Sequence, residues 1–250
     1  MLKTATGKII IAVVLIGLAA AAALYYAVLR TPEAASEPIA PIPIDEPTQA
    51  PAISEDEPAA TDVTPPDDPA PTTLLFEIVP EESLARFSLG EILRGEYNLV
   101  IGVTDQVAGQ ISIDLSDPSA AQVGAISINA RTFATDNSNR DRAIKNQILD
   151  TNIYEFITFT PTSIAGLPSE AVVGETMEFE ITGDLTIRDI THQVTFSVTV
   201  LAVSETRLEG SGSATITRAD FNLTIPNVPS VASVDEDVII EIEFVALAVE

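Results

Sequence analysis

Between Leu74 and Phe244 the chain alternates apolar and polar residues with a period of two, which constrains its fold more than any other feature. Met177-Glu178-Phe179-Glu180-Ile181-Thr182 alternates without a break, as does Val194-Thr195-Phe196-Ser197-Val198-Thr199-Val200. Gly109-Gln110-Ile111-Ser112-Ile113-Asp114-Leu115 repeats the pattern, and Ile240-Glu241-Ile242-Glu243-Phe244 ends with it. Successive side chains of a strand point to opposite faces, so each segment has one apolar and one polar face. Such segments build an antiparallel sheet with one face on a core. Turn clusters such as Ser116-Asp117-Pro118-Ser119 and Leu167-Pro168-Ser169 separate them. An open sheet of this width would expose its edges, so closure into a barrel of about eight strands is predicted. A two-sheet sandwich has the same pattern.

One stretch breaks the alternation. Asn139 to Asp150 places Ala143, Ile144, Gln147 and Ile148 at helical spacing, with Asp136 and Ser138 as candidate caps. It carries Arg140, Arg142 and Lys145. These read either as a basic lid over a barrel mouth or as a solvated helix face.

Ahead of the β-domain lie two segments of different character. Ile9 to Leu29 is free of charge; as a helix it would span about 31 Å, the thickness of a bilayer's hydrocarbon core. Lys3 and Lys8 precede it, and after Arg30 the next charges are all acidic. The positive-inside rule then puts the N-terminus in the cytoplasm and the rest of the chain outside. A signal peptide cleaved within Ala19 to Ala23 also exports the domain. Thr31 to Thr72 holds eleven prolines and ten acidic residues, with no Lys, Arg or aromatic residue. Such a composition buries too little apolar surface to offset its ordering entropy, so an extended, disordered linker is predicted. The chain therefore divides into an anchor or signal peptide over 1–30, an acidic linker over 31–72 and a β-domain over 73–250.

Composition removes several chemistries. A net charge of -25 opposes nucleic acid as a partner. Cysteine is absent, which excludes disulfides, thiolate metal sites and thiol nucleophiles. His192 is the single histidine, so neither a zinc site nor a Ser-His-Asp triad has its parts, and no Gly-x-Ser-x-Gly elbow occurs. His192 reads as an exposed turn residue. Glu178 and Glu180 fall on the polar face of a strand, solvated rather than poised for acid-base work. Glu55-Asp56-Glu57 and Asp235-Glu236-Asp237 lack the spacing of a calcium loop. No catalytic residue, metal ligand or cofactor is assigned.

Four elements, in order, resemble the YceI-like domain family. Gly183-Asp184-Leu185-Thr186-Ile187-Arg188-Asp189-Ile190-Thr191-His192-Gln193-Val194-Thr195-Phe196 is similar to its most characteristic segment. Arg131-Thr132-Phe133-Ala134-Thr135-Asp136-Asn137 followed by Arg140-Asp141 resembles the stretch before its helix, and Tyr154-Glu155-Phe156-Ile157-Thr158-Phe159 the strand after it. Ile216-Thr217-Arg218-Ala219-Asp220-Phe221 resembles its late Arg-x-Asp-Phe element. The sequence departs where Tyr154-Glu155 stands in place of the family's Tyr-Pro, and over Glu91 to Val107. True lipocalins match less well, because their Gly-x-Trp element cannot exist in a chain without Trp. The resemblance implies an exported, elongated, lipocalin-like barrel whose hollow interior holds a long isoprenoid or similar amphiphilic lipid. Within it, Arg188, Arg218, Asp184 and Asp220 are motif residues. Charged residues near strand ends commonly pin turns through charge-assisted hydrogen bonds, and these four read that way.

Together these readings predict a membrane-anchored, extracytoplasmic, non-enzymatic module that binds lipid. The predicted wall of the ligand site comprises Ile157, Phe159, Phe179, Ile181, Phe196 and Val198. The alternative is an envelope interaction or structural protein whose barrel is filled by its own side chains. Residues 73–250 expressed alone should be soluble, with a circular dichroism spectrum that is mostly β and has little helix. A disordered spectrum, or a need for detergent, would count against the domain boundary.

Overall fold

Each alternating segment becomes a strand of one antiparallel sheet. The computed structural model describes residues 11–19, 25, 30–44 and 73–249. In chain order the strands are β1 (Leu74–Ile78), β2 (Leu84–Leu93), β3 (Glu96–Thr104), β4 (Val107–Ala108), β5 (Gln110–Ile113), β6 (Gln122–Val123) and β7 (Ile126–Asn129). After the helical segment come β8 (Phe156–Ala165), β9 (Thr176–Ile187), β10 (Ile190–Ser204), β11 (Arg207–Thr217), β12 (Val231–Val234) and β13 (Asp237–Val249). They pair in the order β4-β7-β8-β9-β10-β11-β13-β1-β5-β6, with β2 also on β13 and flanked by β3 and β12.

The sheet curls into a half-barrel. The path begins at β4 and reaches β5 near its other end, and only Gly109 separates these two strands in the chain. A Cβ at Gly109 would lie 2.4 Å from Ile126 Cδ1, so the close approach at this joint requires glycine. Thirteen strands replace the predicted eight because long tracks are interrupted. β1 and β2 lie end to end along β13, broken by a turn at Pro80–Glu82. β3, β4 and β5 likewise follow one another along a single track.

Strand direction defines two ends. β8 starts at one end with Phe156 and reaches the other with Ala165, and β9 returns to the first with Ile187. The first, or helical, end carries Ser138–Ala143 and its wider-wound continuation Ile144–Ile148. It also carries the tip of the β2–β3 hairpin, where Arg94 (φ 54°) and Gly95 (φ 89°) both take positive φ as a type I′ turn demands. Asn137, rather than Asp136 or Ser138, caps the helix, its side chain accepting from the Asn139 and Arg140 N–H groups. Thr135 is held to Asp141 Oδ1 through its N–H at 2.7 Å and its Oγ1 at 2.6 Å. Residues 166–175 and the β10–β11 turn lie at the far end.

Residues 11–19 are helical and exposed. Among the described residues no helix is long and apolar enough to cross a membrane, and most of the rest of the Ile9 to Leu29 run lies outside them.

Residues 31–44 differ from the predicted linker, for they lie along the outside of the sheet. Asn146 Nδ2 donates to the Arg30 carbonyl at 2.8 Å. Arg131 pairs with Glu33 at 3.0 Å and donates to the Ala34 carbonyl at 3.2 Å. Ser36 donates through both its N–H and Oγ to the Glu155 carboxylate, each at 2.8 Å. The Ile44 N–H donates to Gln110 Oε1 at 2.9 Å. Two causes act together. Gln110 belongs to the outward, polar phase of β5 yet is buried, and its side-chain carbonyl needs the donor that Ile44 supplies. Pro32, Pro38, Pro41 and Pro43 hold the segment near its extended bound shape, so ordering it costs little. The remainder of the predicted linker, 45–72, lies outside the described residues.

Burial opposes ionisation of Glu155, but the Ser36 N–H and hydroxyl, Asn129 and the Arg131 guanidinium outweigh it and hold the carboxyl below its usual range. A carboxyl lowered in this way stabilises the docked form above the ordinary glutamate value of about 4.3, and the contribution is lost as pH falls through the folded value. A fluorophore on Glu37→Cys should therefore lose anisotropy as the pH falls below the ordinary glutamate range, while one on Glu175→Cys still reports a folded sheet. Glu155→Gln should loosen the segment already at neutral pH and abolish the acid transition. An unchanged Glu37 signal across this range would exclude Glu155 as the fastening group.

Candidate functional site

The inward side chains do not fill the curled sheet. They enclose a cavity of about 550 Å³, within the range of roughly 300–1,000 Å³ usual for ligand pockets. All six predicted residues, Ile157, Phe159, Phe179, Ile181, Phe196 and Val198, line it. They form one continuous wall across β8, β9 and β10, with Phe196 opposite Ile181 and Val198 opposite Phe179 in register. Phe159 and Phe196 meet edge to face, ring centroids 4.8 Å apart. The opposite wall, which the prediction did not include, comes from Phe87 and Leu89 on β2, Val100 on β3, and Ile240 and Ile242 on β13. These positions share the same alternation.

The helical end closes the cavity. Ile144 and Leu149 are buried there, and both line the cavity together with Ile148, Asn139 and Arg140. Of the two readings of the basic helix, Arg140 fits the lid. Its Nη2 lies 2.8 Å from Glu91, and its Nη1 pairs with Asp136. Glu91 is 7% exposed and also accepts from Asn98 Nδ2 at 2.9 Å. The sequence signal for Glu91 is its phase: it stands two residues after Leu89, on the inward face, where an acid is out of place beside Phe87 and Leu89.

Of the remaining candidates, the two arginines hold the frame. Arg218 donates to the carbonyls of Asp235 (2.7 Å), Leu223 and Val234 (both 3.2 Å), and pairs with Glu236 at 2.8 Å. It thereby fixes the chain between β11 and β13. Arg188, at φ 60° in the β9–β10 turn, donates to the Ile148 carbonyl at 3.5 Å and lies 5.9 Å from the Tyr154 ring centroid. Asp184 and Asp220 do not pin turns as the sequence suggests: both are exposed, and among the described residues Asp220 is bonded only through its N–H, to Thr217 Oγ1. Glu178 and Glu180 are exposed as well. His192 is exposed too, but within β10 rather than in the turn, with its ring edge-to-face on buried Phe221 at 5.2 Å. Among the described residues no cluster of three or more His, Asp or Glu is arranged to hold a metal ion. The cavity's chemistry is the burial of apolar surface, with a neutralised ion pair at one end.

The YceI-like domain model matches residues 76–246. The chain belongs to the YceI-like domain family. It is 28% identical over 153 residues to protein YceI of Shigella flexneri, an alignment covering 59% of this chain and 74% of that one. A UPF0312 protein of Shewanella sp. (strain ANA-3) is 23% identical over 151 residues, covering 58% and 75%. Among solved structures, a polyisoprenoid binding domain from Saccharophagus degradans, implicated in plant cell wall breakdown, superposes with a TM-score of 0.55 at 17% identity. It covers 70% of this chain and 99% of that domain. Burkholderia cenocepacia BcnA gives 0.53 at 20% identity, covering 67% and 98%. At these identities the two structures establish the fold that this YceI-like domain shares.

Removing Arg140 from the YceI-like domain leaves Glu91 charged and buried with only Asn98 as a donor. Arg140→Ala should therefore lower stability to urea by about 1–3 kcal/mol. The double variant Glu91→Leu/Arg140→Leu should recover most of that loss, because no charge is left stranded. An Arg140→Ala variant as stable as the wild type would mean that water reaches the pair.

Proposed function

We propose that this chain is an extracytoplasmic, membrane-anchored, non-enzymatic module that holds one long isoprenoid-like or other amphiphilic lipid in its barrel-shaped interior. The observation that carries the reading is the apolar cavity of about 550 Å³, with the six aliphatic and aromatic residues of β8 to β10 along one wall. Burying hydrocarbon is worth about 0.8 kcal/mol per CH₂, so chain length contributes more to affinity than any single polar contact. The Saccharophagus degradans domain, described as polyisoprenoid binding, supports the ligand class. The uncharged Ile9 to Leu29 run, behind Lys3 and Lys8, supports the anchor and its orientation. A filled, purely structural barrel fits less well with an interior of this volume.

Solvent extraction of the purified protein followed by mass spectrometry should release a hydrocarbon-rich lipid. Val198→Phe adds bulk to the cavity wall, so it should abolish that lipid while leaving thermal stability nearly intact. A solid core would instead lose about 1–3 kcal/mol to overpacking. Destabilisation of the lipid-free variant, with no lipid in the wild type, would favour the structural alternative.

The anchor is tested separately. Val14→Asp with Leu18→Asp should release the chain from membranes, each charge costing about 2.5–3.5 kcal/mol at a helix centre. A mature chain beginning between Ala20 and Leu24 would replace the anchor with a cleaved signal peptide.

A further inference from the structure

Arg30 directly follows the apolar run, and its carbonyl is bonded to Asn146 of the helix that closes the cavity. The membrane side of the chain is thus fastened to the helical end of the domain, with no free spacer between them. The fastening is not a single contact. Glu33, Ala34 and Ser36 are held by Arg131 and Glu155, and Ile44 by Gln110, so the segment is fixed along the outside of the sheet. Arg131 is itself tied to the carbonyls of Thr151 (2.9 Å) and Asn152 (3.4 Å), in the loop that joins the helix to β8.

Among the described residues, the large apolar side chains exposed at the far end are aliphatic only, such as Val172 and Val173, whereas the helical end exposes aromatic side chains too. Ile153 is 70% exposed and Phe156 41%. On the projecting β2–β3 hairpin, Tyr97 is 67% exposed and Leu99 52%. Exposed apolar and aromatic groups of this kind suit the interfacial zone of a bilayer. Arg142 and Lys145 of the closing helix add positive charge in an otherwise acidic molecule.

We propose that residues 30–44 are a clamp that seats the helical end of the cavity on the outer surface of the phospholipid bilayer, so that lipid passes between bilayer and cavity at that end without crossing water. This rests on the anchored, lipid-binding reading above and adds orientation and route to it. A flexible spacer of 42 residues would instead let the domain range over roughly 36 Å or more in any orientation.

The chain has no cysteine, which permits clean single-site labelling of residues 1–250. Ile153→Cys and Glu175→Cys mark the two ends. In phosphatidylcholine vesicles containing headgroup-nitroxide lipid, a fluorophore at 153 should be quenched severalfold more than one at 175. Inserting about twenty Gly and Ser residues between Leu29 and Arg30 should reduce quenching at 153 to the level at 175. The same insertion between Ala50 and Pro51 should leave it unchanged, because that site lies beyond the clamp. Equal quenching of the two labels, or equal effects of the two insertions, in protein that floats with the vesicles and yields lipid on extraction, would overturn the clamp alone. A chain that fails to float would overturn the anchor, and the clamp with it.

Discussion

A sheet with one apolar face must hide that face from water, and this one hides it against itself. The free energy comes from removing inward side chains from solvent, about 1.5–3 kcal/mol for each fully buried aliphatic or aromatic group. Phe76 on β1 and Leu208 on β11 are almost wholly buried by this curling. A curved surface lined by Ile, Val and Phe cannot bring opposite walls into contact everywhere, and the space left over is the cavity. Stability and the site therefore arise from the same residues. The helix at one end, through Ile144 and Leu149, covers apolar surface that the strands alone leave open.

Much of this is legible in the sequence because period-two alternation fixes which residues share a face. Phe179, Ile181, Phe196 and Val198 fall on one wall from phase alone, and register then brings them opposite one another. Phase does not reveal which strands face each other across the interior, so the wall built from β2, β3 and β13 is missing from the prediction. Nor does it reveal interruptions such as Pro80–Glu82, which divide a single track into two strands. Glu91 is readable only as an anomaly, an acid in the inward phase. Its partner Arg140 is distant in sequence, so the reason for tolerating the acid appears only in three dimensions.

The segment 31–44 teaches a different lesson. Averaged composition assigns it to a disordered linker, and averaging conceals position. Glu33 and Ser36 are ordinary polar residues until Arg131 and Glu155 are placed beside them by the turn Ala130–Thr132 and the start of β8. Arg131 is 11% exposed and Glu155 12%, so their charges lie in a partly dry setting where a hydrogen bond is worth more than at the surface. The four residues form a knot that joins three stretches of chain.

The joint at Gly109 has a mechanical corollary. β9 and β10 are laced together along their whole length, from Ile187–Ile190 to Thr176–Leu201. β4 and β7 meet only at Val107–Ile128 and Ala108–Ser127. A curled sheet laced this unevenly has a seam, and local opening begins where the fewest bonds must break. Residues 36–44 run from Glu155, beside β7, to Gln110 on β5, and so cross from one side of that seam to the other. The peptide that leads from the apolar run to the domain is also a splint laid over its weakest line.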